Sequence, residues 1–189
     1  NEGSIAGIFN ARSYDGSSAS SHKGIDEKGN IERFVFDEYT AFCQGASGYN
    51  FNTSGMSVEI VALGYLIDEP LTVDLKGNPL DGIYYKQSSE HGKRYWVKES
   101  DTALAVDFNG NPKPYKGYAR WNAYTQAQVD ATILLIKAWG KKFGIPFEFT
   151  QASFTNMFPE ENIRPQIPDN PGIYSHCAVK DGKFVYVGD

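Results

Sequence analysis

The sequence predicts a mixed α/β domain, in which strands precede and follow one long helix along the chain. Two short strand patterns separated by a Gly-Asn turn precede a nearly continuous apolar run at Met56–Leu66. The strongest helical pattern follows at Thr125–Phe143, and a further strand pattern lies near the C-terminus. This order of elements indicates a mixed sheet with the helix packed on it.

Composition limits the class of protein. The chain has 189 residues, of which 41% are hydrophobic and 22% charged, with a net charge of −5. These values are typical of a globular protein, and we expect residues 1–189 to form one domain. The negative charge and the scattered Lys and Arg residues argue against nucleic acid as a partner. No apolar stretch reaches the roughly 18 residues that a membrane helix needs, so no membrane span is expected.

The N-terminal third contains strand patterns. "GSIAGIFNA" is typical of a strand, and the segments His22–Asp26 and Ile31–Phe36 flank the turn "EKGN". Gly29 and Asn30 in that turn favour a β-hairpin. The apolar run at Met56–Leu66 is typical of one strand buried on both faces.

Residues 68–117 differ in character and are interpreted as an insertion. The pattern V-D-x-x-G-N-P occurs at Val73–Leu80 and Val106–Lys113, about thirty residues apart. Because a solenoid needs at least ~3 stacked repeats, we predict two strand-ending turns instead. "RYWVKES" between them predicts another strand. We expect an accessory β-rich lobe with His91 on its surface.

The long helix has clear start and stop signals. Thr125 and Gln128 have the spacing of a capping box, and Gly144 and Pro146 follow the last turn. Apolar residues at helical spacing predict the face that packs on the sheet. These residues are Val129, Ile133, Ile136 and Phe143.

Four segments resemble, in order, the motifs of a known family. "SASSHKGIDEKGNIERFV" is similar to an S-A-H-(apolar)-x-I-D-x-x-G-x-I hairpin, and "AFCQGASGYNFNTSGMSVEIV" to A-W-H-A-G…N…S-I-G-I-E. "YKGYARWNAYTQAQVDATILLIKAWGKKFGIP" is similar to a Y-R-G-Y…Y-T-x-x-Q helix. "IYSHCAVKDGKFVYVGD" lies where I-x-G-H-x-x-V-x-x-G-R-K-x-D-P-G is expected. Together they resemble the zinc-dependent N-acetylmuramoyl-L-alanine amidases of the type 2 fold, which peptidoglycan recognition proteins share.

The resemblance implies a mixed central sheet flanked by helices. In that family two His and an Asp or Cys hold zinc, whose bound water attacks the amide between muramic acid and the first alanine of the stem peptide. A Glu on the central strand, or a Tyr near the hairpin, orients the water, and a Lys stabilises the oxyanion. Phage-borne members carry an insertion much like residues 68–117.

Carried over by position, the resemblance assigns roles to individual residues. His176 matches the second zinc ligand, and Glu59 matches the catalytic Glu of the central strand. Asn10 stands at the position of the first ligand, and Cys43 replaces the His of A-W-H-A-G. We expect Asn10, Cys43 and Asn52 to bind substrate, in a groove that Glu59 and His176 also line. An amide oxygen binds zinc weakly, so the zinc site is interpreted as degenerate.

The last two roles stay open between two registers. In one, Lys183 matches the catalytic Lys, but Val185 then stands at the third ligand. In the other, Asp189 is the third ligand, and Val187 stands where the Lys is expected. Zinc is therefore expected to be weakly held or absent. His22 matches a position that the family does not use as a ligand, so we expect a structural role for it.

The two cysteines, Cys43 and Cys177, are compatible with free thiols, a disulfide or a rebuilt zinc site. Adjacent His176 and Cys177 on a strand point to opposite faces, which disfavours a shared metal site.

Three functional hypotheses follow. The first is a peptidoglycan-binding module that recognises muramic acid and stem peptide, with hydrolysis lost or impaired. The second is an active zinc amidase of phage cell-wall lysis. The third is a structural component of a phage virion or tail, with other particle subunits as partners. The resemblance favours a location in a phage particle or facing a bacterial cell wall.

Overall fold

The computed structural model describes residues 20–41, 55–87, 95–107, 109–115, 117–148 and 172–173. They divide into two compact units, one with the described residues of 1–61 and 126–185 and one with those of 62–125. The first unit combines a mixed sheet with an α-helix, and the second contains an antiparallel sheet, so the fold is of the α/β type. The insertion predicted at 68–117 falls within the second unit, and its place beside a groove stays a prediction.

The first unit contains the predicted β-hairpin. Strand β1, Lys23–Ile25, pairs antiparallel with β2, Ile31–Arg33. On its other side β1 pairs in parallel with β3, Val58–Ile60, which gives the order β2-β1-β3. The hairpin and the mixed character of the sheet are therefore confirmed.

The hairpin turn belongs to a motif with three copies in the described residues. In each copy an Asp Oδ1 accepts hydrogen bonds from the backbone N–H groups two and four residues later. The Asn four residues on also donates its side-chain amide to the Asp, and the Gly before it has a φ of 79° to 82°. The copies are Asp26–Asn30, Asp74–Asn78 and Asp107–Asn111. The two predicted turns are confirmed, and the hairpin turn is a third that was not predicted to be related.

Helix α1, Gln126–Phe143, packs on the mixed sheet through a different face from the predicted one. Its buried residues are Gln128, Ala131, Leu135 and Trp139. Ala131, Leu135 and Trp139 form one core with Ile25 of β1, and Val58 and Ile60 of β3 pack against that core.

The predicted packing face of the helix is wrong. Val129 is 41% exposed, Ile133 39% and Phe143 42%, and Ile136 is half-buried. α1 carries two apolar stripes, and the buried one begins with a polar residue, Gln128, which hides it from a hydrophobic pattern. The helix does end as predicted, with Gly144 at a φ of 69°.

The apolar run at Met56–Leu66 is two strands instead of the single predicted one. β3 ends at Ile60, and the next strand begins at Tyr65, after Gly64 with a φ of 76°. All three residues of β3 are half-buried. Apolar residues continue across the break, so hydrophobicity alone did not reveal it.

The second unit is a five-stranded antiparallel sheet in the order β6-β5-β4-β8-β7. Its strands are β4 Tyr65–Val73, β5 Pro79–Lys86, β6 Trp96–Lys98, β7 Thr102–Leu104 and β8 Arg120–Asn122. β6 confirms the strand predicted in "RYWVKES". The buried core consists of one residue from each of β4, β5 and β6, namely Leu66, Tyr85 and Val97, with Leu63 packed against it.

Candidate functional site

Glu59 is the one predicted site residue that falls in the described part of the chain. Asn10, Cys43, Asn52, His176, Lys183 and Asp189 lie outside the described residues, as do His91 and Cys177. The expected convergence of Asn10, Glu59, Cys43 and His176 on one groove therefore stays a prediction.

Glu59 lies on the face of the mixed sheet that is turned away from α1. Its neighbours Val58 and Ile60 pack against the core on the helix side, and side chains alternate along a strand. Glu59 is paired with Gly24 of β1, and Gly24 is paired in turn with Glu32 of β2. Directly paired residues share a face, so two half-buried glutamates flank a position that has no side chain.

His22 is a buried structural residue, as expected. It is 2% exposed, and its ring lies edge-on to Trp139 with centroids 6.4 Å apart. The Ser57 N–H donates to Nδ1 at 3.2 Å, so Nε2 carries the proton and donates to the Tyr39 carbonyl oxygen at 2.9 Å. Burial lowers the pKa of His22 and keeps the ring neutral. With both nitrogens in use, His22 has none to offer a metal.

A second candidate site is a cleft of about 490 Å³ on the α1 side of the same sheet. Arg33 of β2 is paired with Lys23 of β1, so the two side chains lie on the same face of the sheet. Lys23 and Ile25 stand on either side of Gly24 in β1, so this is also the face of the core residue Ile25. The charged lining residues are Lys23, Arg33, Asp37, Glu38 and Lys142. Ile31 and Phe36 add apolar surface. We call this the Arg33 cleft.

Asp37 is the centre of an ion-pair chain in the Arg33 cleft. Lys23 Nζ lies 2.6 Å from its Oδ1, and Lys142 Nζ lies 3.0 Å from its Oδ2. Lys142 also reaches Glu38 at 3.2 Å. Burial alone would raise the pKa of Asp37, but hydrogen bonds from Lys23 and Lys142 outweigh burial and lower it. Hydrogen bonds to Asp37 and Glu38 raise the pKa of Lys142, so this lysine stays protonated at neutral pH.

Arg33 differs from the two lysines of the cleft. Its guanidinium carbon lies 4.1 Å from the centroid of the Phe36 ring, a cation–π contact. Among the described residues no carboxylate forms an ion pair with Arg33. Arg33 is not among the site residues predicted from the sequence. Two features of the sequence could have indicated it. Arg33 alternates with Ile31 in the strand, and it stands three residues before Phe36.

The second unit carries an aromatic cluster that is best explained by packing. Tyr65 stacks on Tyr118 with centroids 3.9 Å apart, and Trp121 meets both rings edge-on. Trp121 Nε1 donates to the Tyr118 carbonyl oxygen at 3.1 Å. These rings contact one another, which is the usual arrangement of an aromatic core.

Within the described ranges, no group of three or more His, Cys, Asp or Glu side chains could hold a metal ion. The predicted zinc ligands His176 and Asp189 lie outside those ranges. In the same ranges, no helix is long and apolar enough to cross a membrane. Comparisons of the chain with protein-family models, with curated proteins and with solved structures find no match.

Proposed function

We propose that this chain is a peptidoglycan-directed domain of the type 2 amidase fold, which recognises muramic acid and stem peptide with hydrolysis lost or impaired. The observation that carries the proposal is the position of Glu59. It stands on a strand that runs parallel to the hairpin strand β1, opposite Gly24 and on the face away from α1. The resemblance places a catalytic glutamate at this position.

The local environment of Glu59 supports a binding role. Glu59 is a half-buried carboxylate between the apolar residues Val58 and Ile60, and its charge makes it a strong hydrogen-bond acceptor. Gly24 next to it adds no side chain on that face. A substrate amide or hydroxyl approaching there meets a hydrogen-bond acceptor in a partly water-excluded setting.

The order of elements also supports the proposal. A β-hairpin, a strand parallel to its first strand and then a helix follow one another in the first unit, as in the motifs quoted above. Among the described residues of the first unit, α1 is the α-helix that packs on the sheet. A further helix on the other face of the sheet is part of the proposal.

Loss of hydrolysis follows from the ligand count. Tight zinc binding needs about three good protein ligands, and Asn10 stands where the first is expected. His22 is engaged by Ser57 and Tyr39 and does not replace it. We therefore propose that zinc is weakly held or absent, and that recognition persists without it.

Binding to purified sacculi tests the proposal. The chain is incubated with sacculi at physiological salt, the sacculi are sedimented, and the bound fraction is measured over a range of protein concentrations. Saturable binding is expected, and Glu59→Gln should weaken it about tenfold, as the loss of a charge-assisted hydrogen bond would. Glu69→Gln, which removes the same charge from an exposed position on β4, should leave binding unchanged.

The same samples distinguish the other two hypotheses. One equivalent of tightly bound zinc, together with stem peptides released from muramic acid, would make the chain an active amidase. If the chain neither binds the sacculi nor releases stem peptides, the proposal is contradicted. That result would favour a structural component of a phage particle.

A further inference from the structure

We propose that the Arg33 cleft binds a small organic carboxylate, with Arg33 as the group that recognises the anion. This site is independent of the proposed peptidoglycan groove, because Arg33 and Glu59 lie on opposite faces of the mixed sheet. Nothing in the resemblance assigns a role to this cleft.

The charges of the cleft single out Arg33. Among the described residues, three cations and two carboxylates line it, which gives these residues a net charge of one positive unit. Asp37 holds Lys23 and Lys142, and Glu38 is bound by Lys142. The lysines are thus compensated, and the acids already have cationic partners, which disfavours a metal cation as ligand. The uncompensated charge of the described lining residues is on Arg33.

The geometry of Arg33 suits anion recognition. Its guanidinium carbon lies over the Phe36 ring, and this cation–π contact restrains the side chain. The N–H donors point outward in the guanidinium plane, so the edge of the group stays accessible to a carboxylate, which it can bind through two parallel hydrogen bonds. Because the side chain is restrained in advance, less conformational entropy is lost on binding.

The rest of the cleft defines the size and character of the ligand. Its volume of about 490 Å³ lies within the range of small-molecule pockets. Ile31 is 40% exposed and Phe36 51%, so apolar surface lies beside the guanidinium group. A carboxylate attached to a small apolar group satisfies both features, and a peptide C-terminus or a free small acid can supply it.

Calorimetric titration of the full chain tests this proposal. The probes are N-acetyl-alanyl-alanine with a free C-terminus, the same dipeptide as its C-terminal amide, and butyrate as a small acid without a peptide. Saturable binding of the free-acid dipeptide and at least tenfold weaker binding of the amide are expected. If butyrate binds as tightly as the free-acid dipeptide, a free small acid is the sufficient ligand. If butyrate binds more weakly than the dipeptide, the ligand is a peptide C-terminus.

Variants locate the binding site. Arg33→Gln should reduce affinity for the free-acid dipeptide about tenfold or more, since it removes a charge-assisted bidentate contact. Arg33→Lys, which keeps the charge but not the planar fork, should give an intermediate loss. Lys76→Gln, an exposed turn residue of the second unit, is the matched control and should not change affinity.

Three results would overturn the proposal. These are no binding of either acid, equal binding of acid and amide, and unchanged affinity in Arg33→Gln. Arg33 is exposed. The thermal unfolding midpoint of each variant is compared with that of the parent chain, so a folding defect is distinguished from a loss of binding.

Discussion

Gln128 Nε2 donates a 2.6 Å hydrogen bond to the carbonyl oxygen of Val61, directly after β3. This contact connects the first turn of α1 to the strand that carries Glu59. Gln128 is 2% exposed, so the bond forms away from water. It lies on the face of α1 that packs on the sheet, beside the core residues Ala131, Leu135 and Trp139.

Replacing Gln128 should therefore destabilise the first unit. Gln128→Ala leaves the partly buried Val61 carbonyl without this donor and should lower the free energy of unfolding by about 1–3 kcal/mol. Gln126→Ala removes an amide of the same type from an exposed position at the start of the same helix and should cost much less. Urea unfolding checks both variants. Equal losses would contradict the role of Gln128.

The observed packing face of α1 predicts unequal effects of two core-type substitutions. Leu135→Ala should cost about 2–5 kcal/mol, because Leu135 is 7% exposed and contacts the core. Ile133→Ala should cost clearly less, because Ile133 is 39% exposed. The free energies of unfolding of both variants provide the test. A larger loss of stability for Ile133→Ala would show that the face predicted from the sequence pattern is the one that packs on the sheet.

The turn glycines predict a graded effect. A Cβ at Gly77 meets no atom within 4 Å, so Gly77→Ala carries the backbone penalty of a φ of 82°, about 1–2 kcal/mol. At Gly29 a Cβ would lie 2.5 Å from the Ala127 carbonyl oxygen, in addition to a φ of 79°. Gly29→Ala should therefore be the more destabilising in denaturant unfolding. Equal effects would mean that the hairpin turn does not approach α1 this closely.

Asp37 should make stability depend on pH. Its folded pKa lies below the ordinary value of 3.8, so its ion pairs stabilise the fold above about pH 4. This contribution is lost as pH falls through the folded pKa. Asp37→Asn should therefore be less stable than the parent chain at neutral pH, with a gap that narrows in acid. Denaturant midpoints at about pH 7 and pH 2 measure the gap. A gap independent of pH would contradict the ion-pair assignment, and Glu69→Gln serves as the exposed control.

Local chemistry in the sequence was enough to predict some elements. The Gly29–Asn30 turn and the two G-N-P turns depend on residues within five positions of each other, and all three form as hydrogen-bonded Asp turns. The extent of α1 likewise follows from periodicity and from Gly144.

Features set by distant contacts were not predictable in this way. The buried face of α1 includes Gln128, whose hydrogen bond to Val61 joins residues 67 positions apart, and the Arg33 cleft includes the contact between Lys142 and Asp37, 105 positions apart. A local hydrophobic pattern does not reveal contacts between residues that are so far apart in the chain. Of the predicted site residues, Glu59 lies in the described part of the chain, on a strand that pairs with the predicted hairpin.

The most direct test of the central claim is the fraction of the full chain that sediments with purified sacculi at physiological salt. We expect saturable binding that Glu59→Gln weakens and Glu69→Gln does not, with no stem peptide released into the supernatant. A chain that stays in the supernatant at all concentrations would contradict it.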